Sequence, residues 1–106
     1  MSIKVPLELL PNQSLTIELD SIRYGLRFHD LGGMMSVDIS INDELIIEGQ
    51  RCVGSDPLIP YRYLKADGGN FFFLTELGDI VYWDKFGMTQ SLIYLTAEEL
   101  STANGN

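Results

Sequence analysis

Between Met35 and Asn42 apolar and polar side chains alternate without a break: Met35, Val37, Ile39 and Ile41 against Ser36, Asp38, Ser40 and Asn42. A repeat of two gathers every apolar residue on one face of an extended strand, whereas a helix would scatter them. The same repeat occurs upstream in Leu15, Ile17 and Leu19, and again in Ile22, Tyr24, Leu26 and Phe28, which oppose Arg23, Arg27 and His29. The joints between these runs are short. Asp20-Ser21 makes a tight connection, Gly32-Gly33 can take positive φ within the turn Asp30 to Gly33, and Asn42-Asp43 suits a two-residue hairpin because both residues tolerate left-handed backbone. Glu44 to Gly49 returns as a further strand, and Gln50 to Val53 extends it past a bulge at Gly49. Ile3 to Leu9 reads as an edge strand, since Pro6 would break a ladder in a central one. The amino half is therefore an antiparallel meander of four or five strands.

The pattern changes at Asp56-Pro57-Leu58-Ile59-Pro60-Tyr61-Arg62-Tyr63-Leu64. Two prolines three residues apart exclude a regular helix and keep the segment out of the middle of a sheet, yet its side chains are those of a core. Gly54 to Lys65 thus reads as an irregular apolar crossing, with Leu58, Ile59 and Leu64 turned to the core and Tyr61, Arg62 and Tyr63 offered to a neighbour. Asp67-Gly68-Gly69-Asn70 is a dense turn signal. Phe71 to Leu77 is a strand apolar on both faces, which implies burial on both sides or an intermolecular contact. Ile80 to Trp83 reads as a short strand, Asp84 to Gln90 as a loop and Ser91 to Leu95 as the last strand. Thr96-Ala97-Glu98-Glu99 has capping-box form, with room for a single turn of helix. The expected fold class is all-β, a small antiparallel barrel or sandwich of about seven to eight short strands. A single domain is expected over residues 3–96, with residues 97–106 a short tail that is flexible unless a partner holds it.

Composition limits the function. Fifteen acidic residues against seven basic ones give a net charge of −8, and no basic patch offers stable binding to nucleic acid. No apolar run reaches the roughly 20 residues needed to cross a membrane, so no membrane insertion is expected. The amino terminus lacks a secretion signal, so the chain is expected to stay where it is made. Cys52 is the only cysteine, which excludes an intrachain disulfide, and its place in a strand favours a buried thiol.

Catalytic and metal chemistry find little support. His29, the sole histidine, adjoins Asp30, but neighbours on a strand point to opposite faces. One histidine and one cysteine do not make a zinc site. Asp38, Asp43, Glu44 and Glu48 lack the spacing of a calcium loop and fall on a polar strand face that solvation explains. The expected catalytic, cofactor and metal sets are all empty, and the chain is not read as an enzyme.

Aromatics are the feature beyond a generic domain: nine of eleven fall in the carboxyl half. Surface aromatics with arginine mark interfaces, so Tyr61, Arg62, Tyr63, Phe72, Trp83 and Phe86 are the candidate protein interface.

The runs Val5-Pro6-Leu7, Pro11-Asn12-Gln13-Ser14, Ile22 to Phe28, Met35 to Ile39, Pro57-Leu58, Gly69-Asn70-Phe71, Phe86 to Gln90 and Ile93-Tyr94-Leu95 occur in an order that resembles the small baseplate plug proteins of contractile-tailed phages. The likeness spans about residues 3–96 and rests on order and spacing. It implies a virion component of the tail baseplate, made in the bacterial host cytoplasm and not secreted. It implies a structural role without cofactor, on the tail axis between hub and tube. The implied partners are the hub and tail-tube proteins, with the tape measure a further candidate neighbour. A symmetric homo-oligomer is expected, three-fold in preference to six-fold. Negative charge repeated around such a ring would repel DNA in the channel, which makes Asp38 and Glu48 candidate lumen-facing acids. The alternative from a different class is a small carbohydrate-binding or adaptor β-domain using surface aromatics.

Overall fold

In the computed structural model, which describes residues 3–54, 56–60, 68–76, 78 and 80–103, seven strands form two antiparallel sheets. Strands β2 (Gln13–Leu19), β3 (Ile22–Asp30), β4 (Met35–Ile41) and β5 (Glu44–Arg51) make a four-stranded meander in that order. Strands β1 (Ile3–Val5), β6 (Asn70–Thr75) and β7 (Gln90–Leu95) make the second sheet, ordered β1-β7-β6. The strands do not close into a barrel. The architecture is a sandwich.

The meander follows its sequence pattern closely. Two-residue turns at Asp20-Ser21 and Asn42-Asp43 hold all four residues at positive φ, the twist that matches paired strands. In β3, Ile22, Tyr24, Leu26 and Phe28 are buried, while Arg23 and Arg27 are exposed. Strand β5 carries the expected irregularity: Val37 pairs with Gln50 but Ile39 with Ile47, so Glu48 and Gly49 together oppose Asp38. Gly49 has φ +72, and its N–H donates to the Asp38 carboxylate at 2.8 Å. A second shift follows at once, where Ser40 pairs with Leu45.

Aromatic rings join the two sheets. Tyr24 meets Phe71 edge-on at 5.1 Å and Tyr94 at 5.5 Å, and Phe28 lies 6.0 Å from Phe73. Such geometries add about 0.5–1.5 kcal/mol per pair beyond the area buried. Cys52 is buried, and desolvation pushes its thiol up to about 12, so it packs as a small apolar side chain.

Over its described residues, 54 and 56–60, the crossing segment is irregular, as the prolines require, and Leu58 and Ile59 are each 1% exposed. Leu58 N–H donates to the Phe71 carbonyl at 2.9 Å, and Gly54 bridges Phe73. The segment thus lies along β6 and completes that side of the core. Leu64, Tyr61, Arg62 and Tyr63 lie outside the described residues.

Two expectations are corrected. Ile80 to Trp83 is not a strand: Gln90, fully buried, takes the Tyr82 N–H on Oε1 at 2.9 Å and gives Nε2–H to the Ile80 carbonyl at 2.8 Å. One side chain thereby satisfies the backbone a neighbouring strand would have paired, and a 3-10 turn follows at Trp83–Lys85. The helix also exceeds one turn, since α1 runs from Ala97 to Ala103. Its capping box is complete, with Glu99 N–H donating to Thr96 Oγ1 at 3.1 Å and Thr96 N–H to Glu99 Oε1 at 3.0 Å. Asp20 adds a long-range cap by accepting from Ala97 N–H at 3.1 Å.

Candidate functional site

The candidate interface residues that are described, Phe72, Trp83 and Phe86, take three environments. Phe86 is 1% exposed, stacked on Phe73 at 5.6 Å and set against Phe28 at 6.3 Å. Its place is the core, a correction to its expected surface position. The reason is local: Phe86 N–H bonds the Trp83 carbonyl and Gly87 N–H bonds the Gln90 carbonyl, which folds the loop inward over the sheets. Trp83 is half-buried and 6.0 Å from Tyr82, whose hydroxyl donates to Asp30 at 3.0 Å. The Asp30 carboxyl is held below its ordinary value, first by Gly32 N–H; desolvation opposes this, and the Tyr82 hydroxyl reinforces it. The Trp83 indole acts more weakly on the same carboxyl and makes no hydrogen bond of normal geometry.

Phe72 takes the third environment. It pairs with Ile93, which pairs in turn with Lys4, so all three share the outer face of the β1-β7-β6 sheet. Phe72, Ile93 and Leu95 are half-buried and Leu74 is 47% exposed. A three-stranded sheet apolar on both faces presents a surface suited to protein contact. Of the nine aromatic rings among the described residues, six are buried, so the interface character falls largely to aliphatic side chains. Sequence reading misses these. Val53 and Ile80, 42% and 60% exposed, line a groove of about 230 Å³ with Arg51, Thr75 and Gly78. The signal is obscured because Ile80 reads as a strand residue.

Asp38 and Glu48 both line a shallow polar groove of about 480 Å³ on the outer face of the meander, with Ser14, Thr16, Arg27 and Ser40. Glu48 is exposed. Asp38 is engaged: it bonds His29 Nε2 at 2.9 Å and accepts from Gly49 N–H. Burial pushes its carboxyl up, but the bonds from His29 and Gly49, aided by the nearby Arg27, outweigh this and hold it below its ordinary value. A depressed carboxyl contributes stability above its unfolded pKa and loses it as pH falls through the folded one. Wild type should therefore lose stability through this group as pH falls below about 4, the ordinary carboxyl value. Asp38→Asn keeps an oxygen for Gly49 but cannot titrate, so urea unfolding at a series of pH values should show a shallower acid loss. Parallel curves for the two proteins would sink this reading.

At the opposite end of the sandwich Tyr94 gathers a polar cluster. Its hydroxyl donates to Asp20 at 2.8 Å, accepts from Gly69 N–H at 2.7 Å and lies 3.1 Å from Tyr24 Oη. Burial raises the pKa of both phenols. The cluster joins the β2–β3 turn, the entry to β6 and the start of α1. Its groups are mutually satisfied, and its role is structural. Among the described residues no three His, Cys, Asp or Glu side chains are grouped to hold a metal ion, and no helix is long and apolar enough to cross a membrane.

Residues 2–98 match the model of a protein family described as Cyanophage baseplate Pam3 plug gp18. No curated protein matches the chain.

Proposed function

The chain belongs to the cyanophage baseplate plug family, and on that premise we propose that it sits on the axis of a contractile tail, between the hub and the tube, as a structural closure without enzymatic activity. Family membership supports a structural role in the phage tail baseplate and association with other baseplate components. The observation that carries the finer reading is the β1-β7-β6 sheet, whose outer face holds Phe72, Ile93 and the 47%-exposed Leu74. Tyr61, Arg62, Tyr63 and Trp83 belong to the same proposed set of protein contacts. Synthesis in the host cytoplasm, hub and tube as direct neighbours, the tape measure in the channel and the absence of stable nucleic-acid binding belong to the same proposal. So does the single domain over residues 3–96. The acids Asp38 and Glu48 face or approach the lumen in this arrangement, where their charge would repel DNA phosphates.

Cryo-electron microscopy of the intact tail tip tests the arrangement. The expected map shows this sandwich on the axis, apolar sheet face against protein and Glu48 nearer the channel than that face. Density for the chain at the baseplate periphery would overturn the axial placement, and Glu48 buried against protein would overturn the lumen assignment.

A further inference from the structure

Four sheet edges close or open this sandwich, and three of them are guarded. Strand β1 is three residues long and carries Lys4. Strand β5 has two register shifts and the charges Glu44, Glu48 and Arg51. Strand β6 is covered by the crossing segment, through the Gly54–Phe73 bridge and the Leu58 to Phe71 bond. Short length, charge, bulges and cover are the usual means of stopping another strand from adding. Strand β2 has neither short length nor a bulge, no described segment covers it, and Glu18 is its only charge. It is seven residues long, pairs with β3 without interruption from Gln13–Phe28 to Leu19–Ile22, and contains neither proline nor lysine.

The two-residue Asp20-Ser21 turn sets the phase of that edge. Leu19 and Ile22 flank it as a hydrogen-bonded pair, so Leu19, Ile17, Leu15 and Gln13 direct their peptide groups at β3. Ser14, Thr16 and Glu18 direct theirs outward, and among the described residues no backbone group outside the sheet takes them. On the inner face Leu15 and Ile17 are only half-buried, so the core runs out at this edge.

We propose that β2 pairs antiparallel with β2 of a second copy about a two-fold axis at Thr16, merging two four-stranded sheets into one. In this register Thr16 faces Thr16, Ser14 faces Glu18 and Leu15 faces Ile17. It is the register that gives all three outward peptide units a partner. It continues the inner apolar face across the junction, and Thr–Thr pairs are favourable across strands. Charge fits as well. Within the chain Glu18 pairs with Arg23 and Ser14 with Arg27. Across the junction the outer row therefore reads Arg27, Ser14, then Glu18 and Arg23 of the second copy. Each Glu18 has an arginine beside it and another two strands away, at about 10 Å. No like charges are adjacent, although the whole chain carries −8. The contact is isologous and closes at two copies.

Sedimentation velocity on the isolated full chain tests this. Wild type is expected to be a dimer at micromolar concentrations. Ser14→Glu sets like charges opposite each other twice across the axis and should weaken the dimer about tenfold. Adding Glu18→Lys to it should restore association. Thr16→Pro removes an N–H that β3 does not use, so it should abolish the dimer while leaving the far-ultraviolet circular dichroism unchanged. If Thr16→Pro fails to fold, the charge-swap series decides alone. A wild-type monomer, a trimer or hexamer indifferent to Ser14→Glu, or an edge occupied only by a different baseplate protein would each overturn the proposal.

Discussion

Gly69→Ala is expected to leave little soluble folded protein. A Cβ at position 69 would lie 1.7 Å from the Leu95 carbonyl oxygen and within 3 Å of two further backbone atoms, the Leu95 and Thr96 carbonyl carbons. All three are main chain, so no side chain can rotate away. Relief requires β6 to separate from the end of β7, where Asn70 pairs with Leu95. That movement also breaks the bond from Gly69 N–H to Tyr94 Oη, and with it the cluster that joins Asp20 to the start of α1. The combined loss should exceed about 4 kcal/mol, the range reached by severe core and backbone lesions. A domain of this size holds about 5–15 kcal/mol in all. Gly87→Ala is the control. Gly87 has φ +77 but open space around its Cβ position, so the cost there should be about 1 kcal/mol, from backbone conformation alone. Urea unfolding of both variants, with soluble yield, distinguishes them. A Gly69→Ala protein within about 1 kcal/mol of wild type would show that the close approach is not needed.

The contrast between these glycines shows where sequence reading stops. Gly32, Gly33 and Gly49 announce themselves because they interrupt an alternating pattern, and all three adopt positive φ. Gly69 does not. It stands in a run of turn residues and matters because Leu95, far along the chain, passes against it. The strands β2 to β5 are legible for the same local reason: alternation and two-residue turns are short-range signals. Ile80 to Trp83 has strand composition, yet the Gln90 amide claims its backbone from a different element, an effect no local pattern records. Phe86 is misread likewise, since a loop aromatic next to glycine gives no sign that Phe28 and Phe73 wait beneath it. Of the candidate interface, Phe72 can be read from a strand apolar on both faces. Val53 and Ile80 cannot, because their groove depends on how the loop after β6 returns.

Asn70→Ala should cost about 3–5 kcal/mol, because it removes the group that holds the crossing segment in place. The prolines at 57 and 60 keep that segment from pairing as a regular strand, so its buried peptide groups need other partners. Asn70, itself 4% exposed, supplies them. Its Oδ1 accepts from Ile59 N–H at 3.0 Å and its Nδ2 donates to the Ile59 carbonyl at 2.8 Å, so one amide replaces both bonds of a ladder pair. Alanine would leave both peptide groups buried and unpaired, at about 1–3 kcal/mol each. Because Leu58 and Ile59 are core residues, the segment cannot swing out to water without exposing the core. The loss should appear as a lower urea midpoint for the whole domain, with hydrogen exchange accelerated first at Leu58 and Ile59. Asn70→Asp separates hydrogen bonding from volume. The ionised carboxylate of that variant still accepts from Ile59 N–H, but its second oxygen confronts the Ile59 carbonyl; protonated, it can donate there. Burial and the facing Ile59 carbonyl would raise its folded pKa against the N–H groups of Ile59 and Phe71, which favour the carboxylate. The stability it contributes is then present below its unfolded pKa and lost as pH rises through the folded one. The Asn70→Asp variant should therefore approach wild type near about pH 4 and fall away toward neutrality. Equal stability for Asn70→Ala, or a pH profile for Asn70→Asp parallel to wild type, would mean that the crossing segment is held by its apolar contacts alone.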